Sequence, residues 1–177
     1  MIETLISSKT RIKLLFKFFL NSNNTAYLRS LEQEFGESTN AIRVELNRLE
    51  KAGMLTSSNQ GNKKVFQANQ SHPLFDEIHN ILRKHIGFDT IIENVISRLG
   101  EVKKVFVLGS LANGIDSGEV ELLMVGAIDE DYLVRLIEKA QGLITKKILC
   151  NVISHKEYES MLDNKLLDES LLIWSDE

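Results

Sequence analysis

Hydrophobic residues recur at helical spacing through the first third of the chain. In residues 8–20 they fall at positions i, i+3, i+4 and i+7, which predicts an amphipathic helix with Ser8 as its N-cap. These apolar positions are Ile12, Leu15, Phe16 and Phe19. The turn-forming sequence NSNN follows, and a second, short helix is predicted over residues 27–35, ending at Gly36. The chain therefore begins with two helices joined by a tight turn.

A third helix is predicted to start at a cap on Ser38 or Thr39, to run to about Ala52 and to be closed by Gly53. Its two faces differ in chemistry. One face carries an apolar stripe at 3.6-residue spacing, formed by Ile42, Leu46 and Leu49. The opposite face carries Asn40, Arg43, Val44, Asn47 and Lys51. We expect the first face to be buried and the second to be available for binding.

The outward face of this helix suits double-stranded DNA. An arginine such as Arg43 can recognise guanine, an asparagine such as Asn47 can recognise adenine, and Val44 can touch a thymine methyl group. Arg48 and Lys51 suit contacts with phosphate. The predicted binding surface therefore combines base recognition with backbone contacts.

A basic hairpin is predicted directly after the third helix. The sequence MLTSSNQGNKKVFQAN indicates two short strands around an Asn-Gln-Gly-Asn turn. Lys63 and Lys64 lie just beyond the tip of that turn. They extend the predicted cationic surface beyond the helix.

Three helices followed by a basic hairpin resemble the winged helix-turn-helix domain of bacterial ArsR- and MarR-like regulators. The likeness covers residues 5–70 and is carried by STNAIRVELNRLEKAGML and the hairpin. It implies that the third helix enters the major groove of DNA while the Lys63–Lys64 wing lies on the backbone or in the minor groove. A three-helix protein-interaction module with a solvated charged face is the alternative.

Charge is unevenly distributed between the two halves of the chain. Residues 1–87 contain 12 Lys and Arg against 8 Asp and Glu, a net charge of +4. Residues 88–177 contain 9 against 17, a net charge of −8. A basic half is the candidate for a polyanion. Because +4 is modest, we expect a homodimer that binds two half-sites, with the apolar helix at residues 74–86 as its dimerisation or linker element.

Several other classes of protein and site are disfavoured by composition. The longest apolar runs are shorter than the roughly 20 residues that span a bilayer, and the N-terminus lacks the pattern of a signal peptide. We expect a cytoplasmic protein without a membrane partner. The single cysteine, Cys150, excludes an internal disulfide, and its apolar surroundings indicate a buried structural thiol. The four histidines do not have metal-ligand spacing.

The second half alternates helical and strand patterns. Helices are predicted over residues 88–99, 129–141 and 155–162, and strands over residues 103–108, 119–125 and 146–153. A Gly-Ser turn and a short helix separate the first two strands. The last residues, which include Trp174, are predicted to form a final short helix and a tail. Such alternation predicts an α/β domain with a small mixed sheet.

Two glutamates begin the second strand of that sheet. Because strand side chains alternate between faces, Glu119 and Glu121 are expected on one side of the sheet. The turn at Gly109 and Ser110 would present its backbone N–H groups nearby. The arrangement indicates a ligand site, and its alternative is a pair of solvent-facing glutamates at the end of a strand.

The sequence GSLANG followed by EVELLMVG resembles the signature of the minimal nucleotidyltransferases, and residues 100–162 match their order of elements. The resemblance implies that Gly109 and Ser110 form a phosphate turn and that Glu119 and Glu121 stand where two aspartates hold Mg²⁺ ions. Three departures oppose catalysis, one of which is a shorter loop before the first acid, with Gly118 where the motif has serine. Glutamate is longer than aspartate and displaces the ions, and Asn151 occupies the expected place of the third carboxylate.

Taken together, the sequence predicts an α+β protein with a winged helix-turn-helix domain in residues 1–86 and a nucleotidyltransferase-like α/β domain in residues 87–177. We expect a DNA-binding transcriptional regulator whose second domain is catalytically inactive and senses a nucleotide, another ligand or a protein partner. No catalytic residue, cofactor or resident metal ion is expected, and Mg²⁺ would bind only if the site were active. The alternatives are a metal-dependent nucleotidyltransferase of the toxin–antitoxin type and a protein-interaction module.

Overall fold

The structure of the protein is a computed structural model that describes residues 2–176. The chain forms two compact units. Unit 1 ends at His85 and unit 2 begins at Ile86, so this boundary lies one residue before the one expected from sequence. Each unit contains a small β-sheet and several helices, which makes the protein a mixed α+β protein with two small sheets. Within residues 2–176, no helix combines the length and the apolar character that crossing a membrane requires.

The helices of the first part of the chain are α1 (Ile2–Leu5), α2 (Lys9–Leu15), α3 (Leu28–Phe35), α4 (Thr39–Lys51) and α5 (Phe75–Ile86). The strands of unit 1 are β1 (Thr25–Tyr27), β2 (Leu55–Gln60) and β3 (Lys63–Ala68). They form an antiparallel sheet in the order β1-β3-β2. A π-helical segment, Phe16–Leu20, continues α2. The three predicted helices and the hairpin are therefore confirmed as elements.

Local capping explains where the helices of unit 1 begin and end. The Ser8 hydroxyl accepts a hydrogen bond from the backbone N–H of Arg11, and the Ser38 hydroxyl accepts one from that of Ala41. Gly36 ends α3 in the left-handed conformation, with a φ of +63°. Hydroxyl side chains thus satisfy N–H groups that have no partner within the helix, and a glycine supplies the left-handed turn.

The core of unit 1 is built from the π-helical segment and the apolar faces of α3, α4 and α5. Its fully buried residues include Phe18, Phe19, Leu31, Ile42, Leu46 and Leu82. Helix α5 packs against its own unit, since His79 Nδ1 lies 2.7 Å from the Phe19 carbonyl oxygen and the Phe75 and Phe19 rings are 5.6 Å apart. The helix predicted for dimerisation therefore uses its Leu82 face internally, and Ile81 is an apolar side chain that it leaves exposed.

Strand β1 was not expected from sequence. Residues 25–27 follow the predicted turn and are too few to show strand periodicity. They form a strand because Ala26 pairs with Phe66 of β3, about 40 positions later in the chain. A long-range backbone pairing of this kind leaves no local pattern in the sequence.

Unit 2 contains α6 (Phe88–Asn94), a 3₁₀ turn (Ile96–Arg98), α7 (Gly109–Ala112), α8 (Glu130–Gln141) and α9 (His155–Asp163). Its strands are β4 (Val102–Leu108), β5 (Glu119–Gly126), β6 (Lys147–Ile153) and β7 (Leu171–Ser175). They form one sheet in the order β6-β5-β4-β7, in which β5 and β6 are parallel and the other pairs are antiparallel. The predicted small mixed sheet is confirmed.

The end of the chain differs from the expected short helix and tail. Residues 171–175 are strand β7, which pairs antiparallel with β4 and places Trp174 opposite Val105. Only Ile173 and Trp174 in the sequence LLIWS favour strands strongly, but pairing with β4 satisfies backbone groups that would otherwise lie unpaired at a sheet edge. The helical prediction for this segment was wrong because it considered only local pattern.

Both faces of the unit 2 sheet are packed. On strand β5, Val120, Leu122 and Met124 are buried on one face. The other face contributes Leu123 and Val125 to a cluster with Phe106 and Leu167, against which Tyr158 and Met161 of α9 pack. Glu119 and Glu121 occupy the first two positions of β5 on this second face. Leu123 and Val125 of the apolar cluster follow them on the same face.

Candidate functional site

A groove lies on the surface of unit 1 between helices α3 and α4 and the β2–β3 hairpin. Its volume is about 1200 Å³. The lining residues that carry polar or charged side chains include Arg29 and Gln33 from α3, Arg43 and Asn47 from α4, and Asn62, Lys63 and Lys64 from the hairpin. Four cationic side chains from three elements, together with the carboxylate of Glu32, therefore line one concave surface.

Helix α4 is held in place by a buried carboxylate. Glu45 is 6% exposed and accepts hydrogen bonds from Arg11 Nε at 2.8 Å and from Arg48 Nη1 at 3.0 Å. Ser8 Oγ donates a third at 3.2 Å. Burial opposes ionisation of Glu45, but the hydrogen bond and charge of Arg11, together with Ser8 and Arg48, outweigh it and lower the pKa of this carboxyl group. The start of α2 is thereby tied to the middle of α4.

Replacing Glu45 with glutamine is expected to lower the free energy of unfolding by about 1–3 kcal/mol at neutral pH, because Arg11 and Ser8 lose a charged acceptor. Since the folded-state pKa of Glu45 is lowered, its contribution is present above the usual pKa of 4.5 and is lost as pH falls through the folded value. The difference between the two proteins should therefore shrink in acid. Urea unfolding from pH 7 to pH 3 measures it.

The control for this prediction is Glu32→Gln on α3, a carboxylate that does not take part in the Glu45 network. It should change stability by no more than about 0.5 kcal/mol. Equal losses in the two variants, or a loss at Glu45 that does not depend on pH, would contradict the role assigned to the buried carboxylate.

The hairpin turns through Gly61 and Asn62, with Gly61 at a φ of +58°. Lys63 Nζ lies 4.2 Å from the centre of the Tyr27 ring. Lys64 Nζ lies 2.7 Å from Glu50 Oε2 of α4, and the hydrogen bonds from Lys64 and Ser57 lower the pKa of Glu50. The two lysines thus face the groove, but an α4 carboxylate partly neutralises one of them.

The predicted DNA-contacting residues occupy two places. Arg43, Asn47, Lys63 and Lys64 line the groove. The other four residues of the prediction are exposed on α4 outside the groove lining: Asn40, Val44, Arg48 and Lys51. Arg48 is also engaged with Glu45. All eight side chains are accessible, and the first four converge.

Sequence reasoning missed the contribution of α3 to the groove. Arg29 and Gln33 are spaced i, i+4, which places them on one helical face beside Tyr27, and all three line the groove. The spacing was a usable signal, but α3 was too short for its two faces to be distinguished with confidence from pattern alone. The cation–π contact between Lys63 and Tyr27 depends on the β1–β3 pairing, which the sequence did not reveal.

In unit 2 the turn after β4 approaches the second glutamate of β5. Gly109 has a φ of +65°, and a Cβ atom at this position would lie 2.5 Å from Glu121 Oε1 and 2.9 Å from its Cδ. Only glycine allows both the left-handed backbone and this close approach. Ser110 follows in the same turn. The expected proximity of the turn at Gly109 to the Glu121 carboxylate is present in the structure.

The neighbouring parallel strand β6 adds residues to the same face as the two glutamates. Glu119 pairs in register with Lys147, and Lys147 Nζ lies 3.4 Å from Glu119 Oε1. Glu121 pairs with Leu149. Asn151, expected in the place of a third carboxylate, lies opposite Leu123. The residue beside Glu121 is therefore a leucine, and Asn151 is two positions further along the strand.

A buried ion pair holds the loop that precedes β5. Lys146 Nζ lies 2.6 and 2.7 Å from the two carboxylate oxygens of Asp116, and Lys146 is only 7% exposed. Asp116 Oδ1 also accepts a hydrogen bond from the backbone N–H of Gly118. The start of β5, and with it Glu119, is thereby connected to the start of β6. Sequence reasoning did not identify this pair, because its members are 30 positions apart.

The donor set of this site does not fit the two metal ions that the nucleotidyltransferase resemblance implies. Within residues 2–176, no three His, Cys, Asp or Glu side chains are grouped so that they could hold a metal ion. Glu119 instead contacts a lysine, and Leu149 supplies no oxygen. Cys150 offers no alternative ligand, since burial raises the pKa of its thiol to about 12.

Comparison with known proteins yields two partial structural likenesses. No protein-family model matches the sequence, and no curated protein matches it. A chain from a crystal structure of a toxin–antitoxin MntA-HpeT mutant is 12% identical, with a TM-score of 0.39, over 51% of this chain and 73% of that one. A candidate nucleotidyltransferase from Sulfolobus solfataricus is 17% identical, with a TM-score of 0.37, over 52% of this chain and 82% of that one. Each likeness covers about half of this chain.

Proposed function

We propose that unit 1 binds double-stranded DNA as a winged helix-turn-helix domain and that the protein is a transcriptional regulator. The observation that carries the proposal is the groove in which Arg43 and Asn47 of α4 meet Arg29 of α3 and the lysines of the hairpin. Arginine and asparagine are side chains that pair with base edges, while lysine and arginine neutralise phosphates. The three elements supply both kinds of contact from one surface.

The geometry of unit 1 supports this assignment. Helix α4 presents an exposed polar face while its Ile42, Leu46 and Leu49 face is buried, so that it can enter a major groove without disturbing the core. The antiparallel hairpin projects beside it, with Lys63 and Lys64 next to its two-residue turn. In the proposed complex α4 recognises bases and the hairpin contacts the adjacent backbone.

The proposed DNA-binding form is a homodimer. A single unit places few cations on the groove, which limits its affinity because each neutralised phosphate contributes to binding. Two copies on a two-fold symmetric site would double the contacts and set the spacing between half-sites. The exposed Ile81 on α5, at 44% exposure, is available to such a contact.

Salt dependence provides the test of DNA binding. Fluorescence anisotropy with labelled duplexes should show an affinity that falls about 10²-fold between 50 and 200 mM salt if about four phosphates are contacted. Lys63→Ala combined with Lys64→Ala should lower the affinity for all DNA sequences by the same factor. It should also reduce the slope of log K against log salt by about two. The reason is that lysine ammonium groups contact phosphates without distinguishing the bases.

A matched control uses the adjacent lysines Lys103 and Lys104 of β4 in unit 2. Replacing both with alanine removes the same formal charge and should leave the affinity nearly unchanged. An affinity that does not respond to salt, or an equal loss from the two double variants, would contradict the proposed groove and leave only non-specific charge attraction.

A second candidate function concerns unit 2, where the observation that favours it is the close approach of Gly109 to the Glu121 carboxylate. We propose that this face binds a nucleotide whose phosphates lie along the turn at Gly109 and Ser110. In the regulator the nucleotide would act as an effector. The alternative is metal-dependent nucleotidyl transfer of the toxin–antitoxin type at the same face. Unlike binding of an effector, it requires metal ions and a transferred group.

Thermal unfolding separates these possibilities. A nucleotide that binds only the folded state raises the melting temperature, and saturation at 100 times Kd corresponds to about 2.7 kcal/mol. Gly109→Ala should reduce that increase, because alanine strains the left-handed backbone of the turn and its methyl group meets the Glu121 carboxylate. Incubation with labelled nucleotides, Mn²⁺ and cell extract tests the alternative. A label that is transferred by the native protein and not by Glu121→Gln would establish the enzyme and overturn the effector role.

A further inference from the structure

We infer that Lys147 and Leu149 keep divalent cations out of the Glu119–Glu121 face of unit 2, and that the Lys147 ammonium is the resident cation of that site. The inference deepens the second candidate function and rests on the same face. It assigns roles to two β6 residues that the motif itself does not contain, and it predicts that a di- or triphosphate is bound there without a metal ion.

Strand register brings the four side chains together. Strands β5 and β6 run parallel, with Glu119 opposite Lys147 and Glu121 opposite Leu149. Because side chains that are paired across a sheet project to the same face, the two glutamates meet an ammonium group and an isobutyl group. A pair of metal ions between these strands would need oxygen ligands at both β6 positions or from a substrate.

The positive charge of Lys147 is the first feature that opposes the binding of a divalent cation. Lys147 Nζ lies 3.4 Å from Glu119 Oε1, so a positive charge already occupies the space beside this carboxylate. Because the ammonium group offsets the charge of Glu119, this carboxylate attracts a divalent cation less strongly than an unpaired carboxylate would. The neighbouring Lys146 cannot substitute for it as a mobile cation, because it is buried and held by both oxygens of Asp116.

The side chain of Leu149, which has no oxygen ligand, is the second feature that opposes the binding of a divalent cation. Leu149, at 37% exposure, stands beside Glu121 and offers only carbon to an ion. Mg²⁺ requires near-octahedral oxygen coordination and releases its water reluctantly. An ion on this face would therefore find Glu119 already paired with an ammonium group and no third oxygen ligand beside Glu121.

The Lys147 ammonium group is the cation through which this face would contact a phosphate, against the charge of the two glutamates. The Lys147–Glu119 pair is largely exposed, with side-chain exposures of 65% and 42%, and exposed pairs of this kind are weak. A phosphate oxygen can therefore take the ammonium group from the carboxylate. The ammonium group then neutralises part of the phosphate charge, which is what a metal ion does in the transferring enzymes.

The exclusion of divalent cations is tested by titrating the full chain with Mn²⁺. The paramagnetic resonance signal measures how much Mn²⁺ remains free. The native protein should show no stoichiometric site. The double variant Lys147→Ala, Leu149→Asp removes the ammonium group and adds a third carboxylate beside Glu121, so it should bind Mn²⁺ at least about tenfold more tightly than the native protein. Adding Glu121→Gln to the double variant should remove the new site.

A matched double variant controls for net charge. Lys103→Ala with Leu172→Asp makes the same two changes elsewhere on the sheet, at an exposed lysine and at a leucine that is 47% exposed. It should gain no site. If the aspartate at position 149 prevents folding, Leu149→Asn supplies a neutral oxygen in its place. Stoichiometric binding by the native protein, no gain in the variants at positions 147 and 149, or equal gain in the control would overturn the inference.

Nucleotide melting curves in the presence of a chelator provide the second arm. We expect ATP, GTP and tripolyphosphate to raise the melting temperature equally with EDTA and with Mg²⁺, and Lys147→Met to reduce the increase. Equal responses to all three compounds would identify the phosphate chain, rather than the nucleoside, as the bound group. An increase in melting temperature that requires Mg²⁺ overturns this inference but leaves the proposed nucleotide site standing. An absence of any increase under both conditions defeats the nucleotide site itself.

Discussion

Replacing Arg43 and Asn47 together with alanine is expected to remove the preference of the protein among DNA sequences. Both side chains line the groove of unit 1 and project from the exposed face of α4. Each bidentate contact between a side chain and a base contributes about 1–3 kcal/mol of discrimination, so the double variant should lose about 2–6 kcal/mol of specificity. The measurement is the ratio of dissociation constants for a duplex selected with the native protein and for its scrambled counterpart.

The hairpin variant is the matched comparison for this result. Lys63→Ala with Lys64→Ala should weaken both duplexes by the same factor and leave the ratio unchanged, because lysine contacts with phosphate carry no sequence information. The variant at Arg43 and Asn47 should instead bring the ratio close to one while some salt-dependent binding persists. If the ratio of dissociation constants is unchanged in the variant at Arg43 and Asn47, the groove face of α4 does not recognise the bases.

Leu46→Ala is expected to have the largest effect on stability among the α4 substitutions. Leu46 is 1% exposed and lies on the buried stripe of the helix with Ile42 and Leu49. Truncating a buried leucine removes its transfer free energy and leaves a cavity, which together cost about 2–5 kcal/mol. We therefore expect a correspondingly lower free energy of unfolding in urea, with a transition midpoint at lower urea and a slope close to that of the native protein.

Val44→Ala is the control, because Val44 lies two positions away on the same helix and is 40% exposed. Its effect on stability should stay within about 0.5 kcal/mol. If Val44 touches a thymine methyl group, as its exposure allows, its replacement should instead weaken binding to the selected duplex. A large stability loss at Val44 and a small one at Leu46 would show that α4 buries the opposite face.

An intramolecular contact in unit 1 also bears on how DNA binding would be controlled. Lys64 donates to Glu50 Oε2 at 2.7 Å, so in the proposed complex a phosphate oxygen would compete with this carboxylate for the ammonium group. The pair is partly exposed, so DNA can compete for the ammonium group. Because Glu50 belongs to α4 and Lys64 to the hairpin, the same contact joins the hairpin to the helix.

Register explains why part of the unit 2 site could not be predicted from sequence. The strand pattern correctly placed Glu119 and Glu121 on one face near the turn at Gly109. It could not determine which β6 residue lies beside Glu121, since a shift of two positions keeps every side chain on the same face. Asn151 was expected from the order of elements, whereas the pairing places Leu149 there. The chemistry of the face depends on that difference.

Local information in the sequence determined most of the helices and their ends. Hydroxyl caps at Ser8 and Ser38, the left-handed glycine at Gly36 and the apolar stripe of α4 all act within one or two helical turns. Their energetics depend on neighbours that the sequence itself lists. The division of charge between the two halves was likewise evident from composition, and it pointed to the half in which the basic groove is found.

Tertiary structure alone decided the remainder, because it depends on residues that are distant in the chain. Strands β1 and β7 exist only through pairing with β3 and β4, and neither has a convincing local pattern. Glu45 is buried among side chains from α2, which no helical period predicts. The sequence by itself therefore determined which face of α4 is buried and which is exposed. The tertiary structure decided which charges on those faces are already paired and which residues stand beside them.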